Sequence, residues 1–250
     1  MMGRFATTVP LYQEFRPPYP GEFFRTVAER LGFAHRHKLI DLGTGPGLLA
    51  LGFAPYVGRI VGVDPEPAMI AAAREAAARR GQRFTLIEGK AEALPAEIGR
   101  FDVVTIGRAL HWMEREAVAA MFDRLVTPDG IIVVCSSGSA ADGRNAWLDT
   151  YNEARRLWSG AEPGGRHRGA LAAALEGSRF QEIDEINVET SQEISTADLA
   201  QRVLTFSSSS PAILGDKADA MRRDVEARLM PFSHQGMLSE IIIATAKVIC

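Results

Sequence analysis

The feature that most constrains the fold is the segment at residues 39–47, where a short apolar run passes into a glycine-rich turn. The run is typical of a buried strand, and an apolar helix begins directly after the turn. Three glycines stand at alternate positions of the turn: Gly43, Gly45 and Gly47. Such glycines let the backbone approach a ligand closely, and the helix start offers unpaired N–H groups. We therefore expect a strand–loop–helix unit of an α/β sheet, with a ligand at the loop.

A second apolar strand ends in Asp64, roughly 20 residues after the loop. An acid at this place faces the hydroxyls of a ribose that lies across the strand ends. Dinucleotide folds use G-x-G-x-x-G to seat a pyrophosphate, whereas the spacing here is G-x-G-x-G. Asp41, two residues before the first glycine, would also repel a phosphate. These features favour a nucleoside ligand without phosphate and disfavour a nicotinamide oxidoreductase.

The pattern Asp-x-Gly-x-Gly-x-Gly from Asp41 to Gly47 resembles the first motif of class I S-adenosylmethionine-dependent methyltransferases. The resemblance implies S-adenosyl-L-methionine as cofactor, with S-adenosyl-L-homocysteine as its product. It also implies an α/β fold with a Rossmann-like seven-stranded sheet in the order 3-2-1-4-5-7-6, strand 7 antiparallel, and a helical cap. The likeness is strong over residues 38–135. We expect one domain over residues 1–250, with an N-terminal arm at 1–20 and variable cap elements at about 137–237.

The strand and helix pattern agrees with this layout. Five alternations of strand and helix precede two late strands. Pro128, Asp129 and Gly130 predict a turn before a fifth strand at residues 131–135. Ser195 or Thr196 predicts the start of a capped helix over residues 195–206.

The resemblance also implies roles for particular residues. The glycine loop would hold the methionine end and Asp64 the ribose. The segment from Gly89 to Pro95 is similar to a Gly-x-Ala-Glu-x-Leu-Pro stretch of the family, whose acid lies near the adenine amine; Glu92 is its counterpart. Taken without the family, Glu92 is equally well a solvated loop acid. The other residues implied in cofactor binding are Arg16, Thr44, Pro65, Met69, Ala91, Ala93, Gly107, Arg108, Ala109 and Trp112.

The N-terminal arm carries Tyr12, Arg16 and Tyr19 around an Arg-Pro-Pro-Tyr-Pro sequence. The small-molecule branch of the family often has a similar segment, which folds over the cofactor. The resemblance therefore implies that these three residues line the site. Arg16 would pair with the methionine carboxylate or with an acidic substrate. The alternative is a surface arm whose aromatic rings pack on the core.

The catalytic candidates are His111, Tyr12 and Tyr19. His111 and Trp112 follow the fourth strand, where the carboxyl ends of the strands form the ligand crevice. An imidazole with a pKa of ~6.5 can accept a proton from a hydroxyl or ammonium at neutral pH. A structural hydrogen-bonding role is equally open for His111, and Trp112 is expected to pack against the core. The Asn/Asp-Pro-Pro-Tyr sequence of DNA amino-methyltransferases is absent here.

Net charge and residue composition exclude several classes of binding partner. The net charge of −3 predicts neither nucleic acid nor an anionic membrane as partner. Two cysteines do not form a disulfide framework, and with no apolar leader or membrane-spanning run we expect a cytoplasmic protein. The scattered histidines predict no metal site.

The sequence thus predicts an O- or N-methyltransferase for a small metabolite, such as a natural-product intermediate of secondary metabolism. A homo-oligomer is compatible with the sequence. The alternatives are a protein of the same fold that binds the cofactor without methyl transfer and, less favoured, a nicotinamide oxidoreductase.

Overall fold

The computed structural model describes Leu11, residues 14–160 and residues 169–250. Seven strands form one sheet in the order β3-β2-β1-β4-β5-β7-β6, with β7 antiparallel, which confirms the predicted fold. The strands are β1 (Lys38–Leu42), β2 (Arg59–Asp64), β3 (Thr85–Glu88), β4 (Phe101–Gly107), β5 (Val126–Ser139), β6 (Glu182–Ser195) and β7 (Met237–Ile249). The helices are α1 (Gly21–Arg30), α2 (Leu48–Phe53), α3 (Pro67–Arg79), α4 (Arg115–Leu125), α5 (Leu148–Ser159), α6 (Ala170–Leu175), α7 (Thr196–Arg202), α8 (Pro211–Leu214) and α9 (Ala218–Leu229).

The first five strands are parallel neighbours, so their carboxyl ends lie at the same edge. In the centre of the sheet, Asp41 of β1 is opposite Gly62 of β2 and Thr105 of β4. Strands covered on both faces read as continuous apolar runs, and β1 is buried from its second residue onward. The loop after β1 therefore lies at the edge where α/β sheets bind ligands.

The chain divides into two compact units. The larger unit comprises Tyr19–Ser136, the described part of Arg166–Val188, and Ala244–Cys250. Its core consists of apolar residues of β1, β2, β4 and β5 packed with α1, α2 and α4. Phe23 and Phe24 of α1 are buried in this core, as the helical spacing of the sequence predicts.

The smaller unit comprises the described parts of Met1–Pro18 and Ser137–Gly165, with Glu189–Ile243. Its own apolar core is formed by α5, α7 and α9, with Trp147 and Leu199 among the buried side chains. The hydroxyl of Ser195 accepts a hydrogen bond from the Asp198 amide, which confirms the predicted cap of α7. Much of the predicted cap segment, residues 137–237, falls in this unit; that it covers a pocket stays a prediction, as does the single domain.

The turn predicted at residues 128–130 is wrong. β5 already begins at Val126, which pairs with Phe101, whereas Ile131 pairs with Val103. The register therefore shifts between these two pairs, so Pro128 and Gly130 lie in a bulge within one long strand.

Candidate cofactor-binding and active site

The loop between β1 and α2 is hydrogen-bonded to the end of β2. The amides of Gly43 and Thr44 both donate to the Val63 carbonyl, at 2.8 and 2.9 Å. The loop glycines have φ angles of 69°, 53° and 84° at Gly43, Gly45 and Gly47. Glycine adopts such left-handed angles at little steric cost, which explains why the sequence places it at alternate positions.

Two of these glycines have different surroundings. A Cβ at Gly43 would collide with the Ala109 Cβ, so this glycine is needed for the close approach of β1 and the segment after β4. A Cβ at Gly45 would have one neighbour within 4 Å among the described residues, the Met69 sulfur at 4.0 Å. The sequence predicts that a ligand can approach the backbone of the glycine loop. The space beside Gly45 is open enough for this, whereas the space beside Gly43 is filled by Ala109.

Asp64 joins the loop to the strand beside it. One carboxylate oxygen accepts from the Gly45 amide at 2.8 Å and the other from the Glu66 amide at 2.9 Å. The side chain is 8% exposed. Burial raises the pKa of this carboxyl, and the two backbone hydrogen bonds oppose the rise. The predicted ribose acid is therefore held in one orientation at the carboxyl end of β2, with Pro65 exposed directly after it.

Asp41 lies deeper than the sequence suggests. Its carboxylate is 1% exposed and accepts from the hydroxyls of Thr44, at 2.7 Å, and Thr105, at 2.9 Å. Burial raises its pKa to about 6, although both hydroxyls favour the charged form. These contacts make Asp41 a residue that positions Thr44 in the loop, and direct binding of the cofactor stays a prediction.

Thr105 is the site residue that the sequence reasoning missed. It belongs to β4 and is fully buried against Asp41. A hydroxyl in the apolar run after Asp102 is the signal that could have identified it, because a buried polar group needs a hydrogen-bond partner.

Glu92 lies in the 3-10 helix Ala91–Ala93 and is half-buried. One carboxylate oxygen accepts from the Glu114 amide at 2.7 Å, immediately before α4. Ala91 is buried and Ala93 exposed. Glu92 therefore has a structural partner that the sequence did not predict, and a contact with adenine stays a prediction.

The carboxyl end of β4 is conformationally unusual. Arg108 follows Gly107 with a φ of 57°, a left-handed angle that is uncommon for a residue with a side chain. Its guanidinium carbon lies 5.0 Å from the centre of the Tyr19 ring. Strained backbone of this kind clusters at functional sites, and here Ala109 next in sequence packs on the glycine loop.

His111 and Trp112 lie in the 3-10 helix Leu110–Trp112, with ring centres 4.9 Å apart. His111 is half-buried, and its role as a base stays a prediction. Trp112 is 39% exposed, and its packing against the cofactor-side core stays a prediction. Close to the polar end of an α/β sheet, an indole can remain on the surface because its N–H tolerates water.

The residues of the N-terminal arm belong to different compact units. Tyr19, in the larger unit, stacks on Phe23 at 5.3 Å, and its hydroxyl lies 3.6 Å from the position a Cβ would take at Gly107. Arg16, in the smaller unit, donates to the Thr205 carbonyl at 2.9 Å. Tyr12 lies outside the described residues.

Within the described ranges, no group of three His, Cys, Asp or Glu side chains is arranged to hold a metal ion. Among the same residues, no helix has the length and apolar character needed to cross a bilayer.

Comparison with known proteins identifies the same region. Residues 40–134 match a family model described as a methyltransferase domain. An uncharacterized methyltransferase, YcgJ of Bacillus subtilis, is 30% identical over 129 residues, which are 50% of this chain and 51% of that protein. The ubiquinone biosynthesis O-methyltransferase of Azorhizobium caulinodans is 38% identical over 101 residues, 39% of each chain. The chain spans about half the length of the curated relatives it matches.

A solved structure shares the fold over nearly the whole chain. The S-adenosylmethionine-dependent methyltransferase of Geobacter sulfurreducens, solved in complex with S-adenosyl-L-homocysteine, superposes with a TM-score of 0.57 at 15% identity. The match covers 96% of this chain and 96% of that one. The sequence motif and the relatives agree on residues 40–134, which are similar to the methyltransferase-domain family, and the chain shares the fold of the methyltransferase structure.

Proposed function

We propose that this protein transfers the methyl group of S-adenosyl-L-methionine to an oxygen or nitrogen of a small-molecule acceptor. The observation that carries the proposal is the hydrogen bond from the Gly45 amide to Asp64. It holds an acid beside a glycine whose outer side is open among the described residues. This arrangement fits a nucleoside with an amino-acid tail, because the acid accepts from ribose hydroxyls while the bare backbone receives the tail.

Within this proposal, Asp64 binds the ribose and the loop at residues 43–47 holds the methionine end. Glu92 and the adjacent alanines contact the adenine, with Met69 buried close to Gly45. The cofactor supplies a methyl group activated by its positively charged sulfur. The chain's own contribution is to align the acceptor and exclude water, and such positioning supplies about 7–11 kcal/mol of a barrier. His111 or a tyrosine hydroxyl takes the proton that the acceptor gives up.

A small acceptor agrees with the net charge of −3, which does not favour nucleic acid. It is also in keeping with the relative named for O-methylation in ubiquinone biosynthesis. A natural-product intermediate as acceptor and a cytoplasmic location remain our expectations from the sequence.

The direct test is transfer of an isotope-labelled methyl group from the cofactor to acceptors in a metabolite extract, analysed by mass spectrometry. We expect label in a small molecule and equimolar S-adenosyl-L-homocysteine. Calorimetric binding of S-adenosyl-L-homocysteine without label transfer to any acceptor would favour the alternative that binds without transfer. Binding of NADH in its place would contradict the proposal.

Replacement of Asp64 by alanine tests the ribose contact. We expect the affinity for S-adenosyl-L-homocysteine to fall by about 1.5–3 kcal/mol, as for a lost hydrogen bond to a charged group. Asp102→Ala is the matched control, because Asp102 accepts from the Lys38 amide at 2.8 Å at the opposite end of β1. Calorimetry should show normal affinity for Asp102→Ala; unchanged affinity for Asp64→Ala would remove Asp64 from the site.

Replacement of His111 by alanine tests the base. We expect turnover to fall by about 10²–10⁴-fold while the affinity for S-adenosyl-L-homocysteine is nearly retained. His35→Ala removes an exposed imidazole before β1 and should change neither quantity. Full turnover of His111→Ala across pH 6–9 would assign proton removal elsewhere.

A further inference from the structure

The smaller unit contains a cluster of arginine and aromatic side chains that the proposed methyl transfer does not use. The guanidinium carbon of Arg155, on α5, lies 3.5 Å from the centre of the Phe206 ring and 5.7 Å from that of Tyr151. The guanidinium carbon of Arg16 lies 4.1 Å from the same Phe206 ring. We call Tyr151, Arg155, Phe206 and Arg16 the arginine cluster.

The described residues give the largely buried guanidinium of Arg155 no carboxylate partner. Its one hydrogen bond among them goes to the Asn152 side-chain oxygen, at 3.2 Å. Its Nε is buried, and the described part of the chain offers that atom no acceptor. Burial lowers the pKa of this guanidinium, which reports the cost of placing its charge there. Buried charges are normally paired, so Arg155 has unused capacity for an anion.

Glu240 does not supply that pairing. It accepts from both terminal nitrogens of Arg202, from Ser139 at 2.6 Å and from Gln192 at 2.8 Å. Its oxygens are therefore occupied by four donors, and among the described residues the guanidinium of Arg155 is left to an anion from a ligand.

A second unused donor lies on the same helix face. Tyr151 and Arg155 are four residues apart, a spacing that makes helical side chains neighbours. Tyr151 is 3% exposed, and no described residue hydrogen-bonds to its hydroxyl. Burial raises the pKa of this hydroxyl, while the positive charges of Arg155, Arg202 and Arg16 lower it. A buried hydroxyl without a partner costs free energy, which a ligand oxygen would recover.

We propose that Arg155 and Tyr151 bind the carboxylate group of a small anionic ligand. The inference goes beyond the proposed methyl transfer and does not rest on it. The guanidinium fork and the phenolic hydroxyl both donate, and a carboxylate accepts from two such donors at once. The Phe206 ring fixes the plane of the guanidinium and so acts as a positioning residue.

Thermal unfolding of the full chain tests anion binding without any need for methyl transfer. The probes are benzoate and succinate, each compared with its neutral amide, benzamide or succinamide, at constant ionic strength. We expect the carboxylates to raise the unfolding temperature and the amides to have little effect. An equal rise with inorganic sulfate would show a general anion site and overturn the assignment to a carboxylate.

Two variants test whether Arg155 and Tyr151 cause the rise in unfolding temperature with carboxylates. Arg155→Met removes the charge but keeps an unbranched side chain, and Tyr151→Phe removes the unpartnered hydroxyl alone. We expect both to weaken benzoate binding by about tenfold or more, since each removes a donor. Tyr151→Phe should be at least as stable as the native protein without ligand, because no hydrogen bond is lost. Arg223→Met removes an exposed charge from α9 of the same unit and should retain the full response.

The affinity for S-adenosyl-L-homocysteine separates this inference from the proposed function. We expect Arg155→Met to bind it with native affinity by calorimetry. A tenfold loss would show that Arg155 acts in cofactor binding and would overturn a separate carboxylate site. A native carboxylate response in Arg155→Met would also overturn it. Absence of label transfer together with an Arg155-dependent response to carboxylates would contradict the methyl-transfer proposal but retain the anion site.

Discussion

Asp41 in the larger unit and Glu240 in the smaller unit are equally buried carboxyl groups with opposite pKa shifts. Their side chains are 1% and 0% exposed. Burial raises the pKa of both, but Asp41 reaches about 6 whereas that of Glu240 ends below its ordinary value. The difference lies in the partners: two threonine hydroxyls for Asp41, and a guanidinium with two further donors for Glu240. Neutral donors do not offset the loss of hydration, whereas a paired cation does.

The opposite pKa shifts distinguish the ion pair of Arg202 and Glu240, which lies in the core of the smaller unit, from Asp41 beside the glycine loop. Arg202 and Glu240 neutralise each other in the core of the smaller unit, where Arg202 also donates to the Phe15 carbonyl at 2.6 Å. Asp41 lies beneath a loop that is open at Gly45, and the charge of Asp64 raises its pKa further. A pKa of about 6 makes the charge of Asp41 depend on pH near neutrality, whereas the paired Glu240 has a lowered pKa.

Breaking the ion pair should have the largest effect on this comparison. Arg202→Met leaves Glu240 as a buried charge without its cation, and we expect the free energy of unfolding to fall by about 3–5 kcal/mol. Urea unfolding at pH 7 measures it. The double variant Arg202→Met, Glu240→Met removes both charges and should recover most of that loss. A cost below about 1 kcal/mol for the single variant would show that water or another donor solvates Glu240.

The second prediction concerns pH. The folded-state pKa of Asp41 lies above its ordinary value of 3.8, so the folded protein binds the proton first as pH falls. Its carboxylate therefore destabilises the fold at pH 7, and this cost disappears as pH falls through about 6 towards 4. We expect the native protein to gain roughly 2 kcal/mol of unfolding free energy relative to Asp41→Asn between pH 7 and pH 4.

Glu240→Gln is the matched control with the opposite sign. Because the pKa of Glu240 is lowered, its charge stabilises the fold above pH 4.5 and that stabilisation is lost below it. The native protein should therefore lose its advantage over Glu240→Gln only when the urea titration is extended below pH 4.5. Parallel pH profiles of native protein and Asp41→Asn would show that Asp41 is solvated or paired in solution.

These partners mark the limit of what the sequence predicted. The bounds of β1 and β2 and the acid at the end of β2 followed from local patterns, because apolar runs and glycines indicate structure within a few residues. The hydrogen bond from Thr105 to Asp41 joins residues 64 positions apart, and such a contact leaves no periodic signal. The same applies to Ala109 against Gly43 and to Arg155 on Phe206. Local sequence patterns thus predicted the strands and the loop that form the site. The partners of its buried side chains became known only from the three-dimensional structure.

Thr105→Val should give the smallest change and test how the hydroxyls hold Asp41 charged. The isosteric valine removes one donor, so we expect a loss of about 1–2 kcal/mol of unfolding free energy at pH 8. The loss should be smaller at pH 5, because protonated Asp41 needs fewer donors; the hydroxyl of Thr105 lowers the pKa of Asp41 in the native protein. Thr245→Val is the control, since its hydroxyl donates to the neutral Asn187 oxygen at an exposed position, where changes stay within about 0.5 kcal/mol. An equal loss for Thr105→Val at both pH values would mean that Asp41 keeps the same charge from pH 5 to pH 8, which would contradict a pKa of about 6 for this carboxyl.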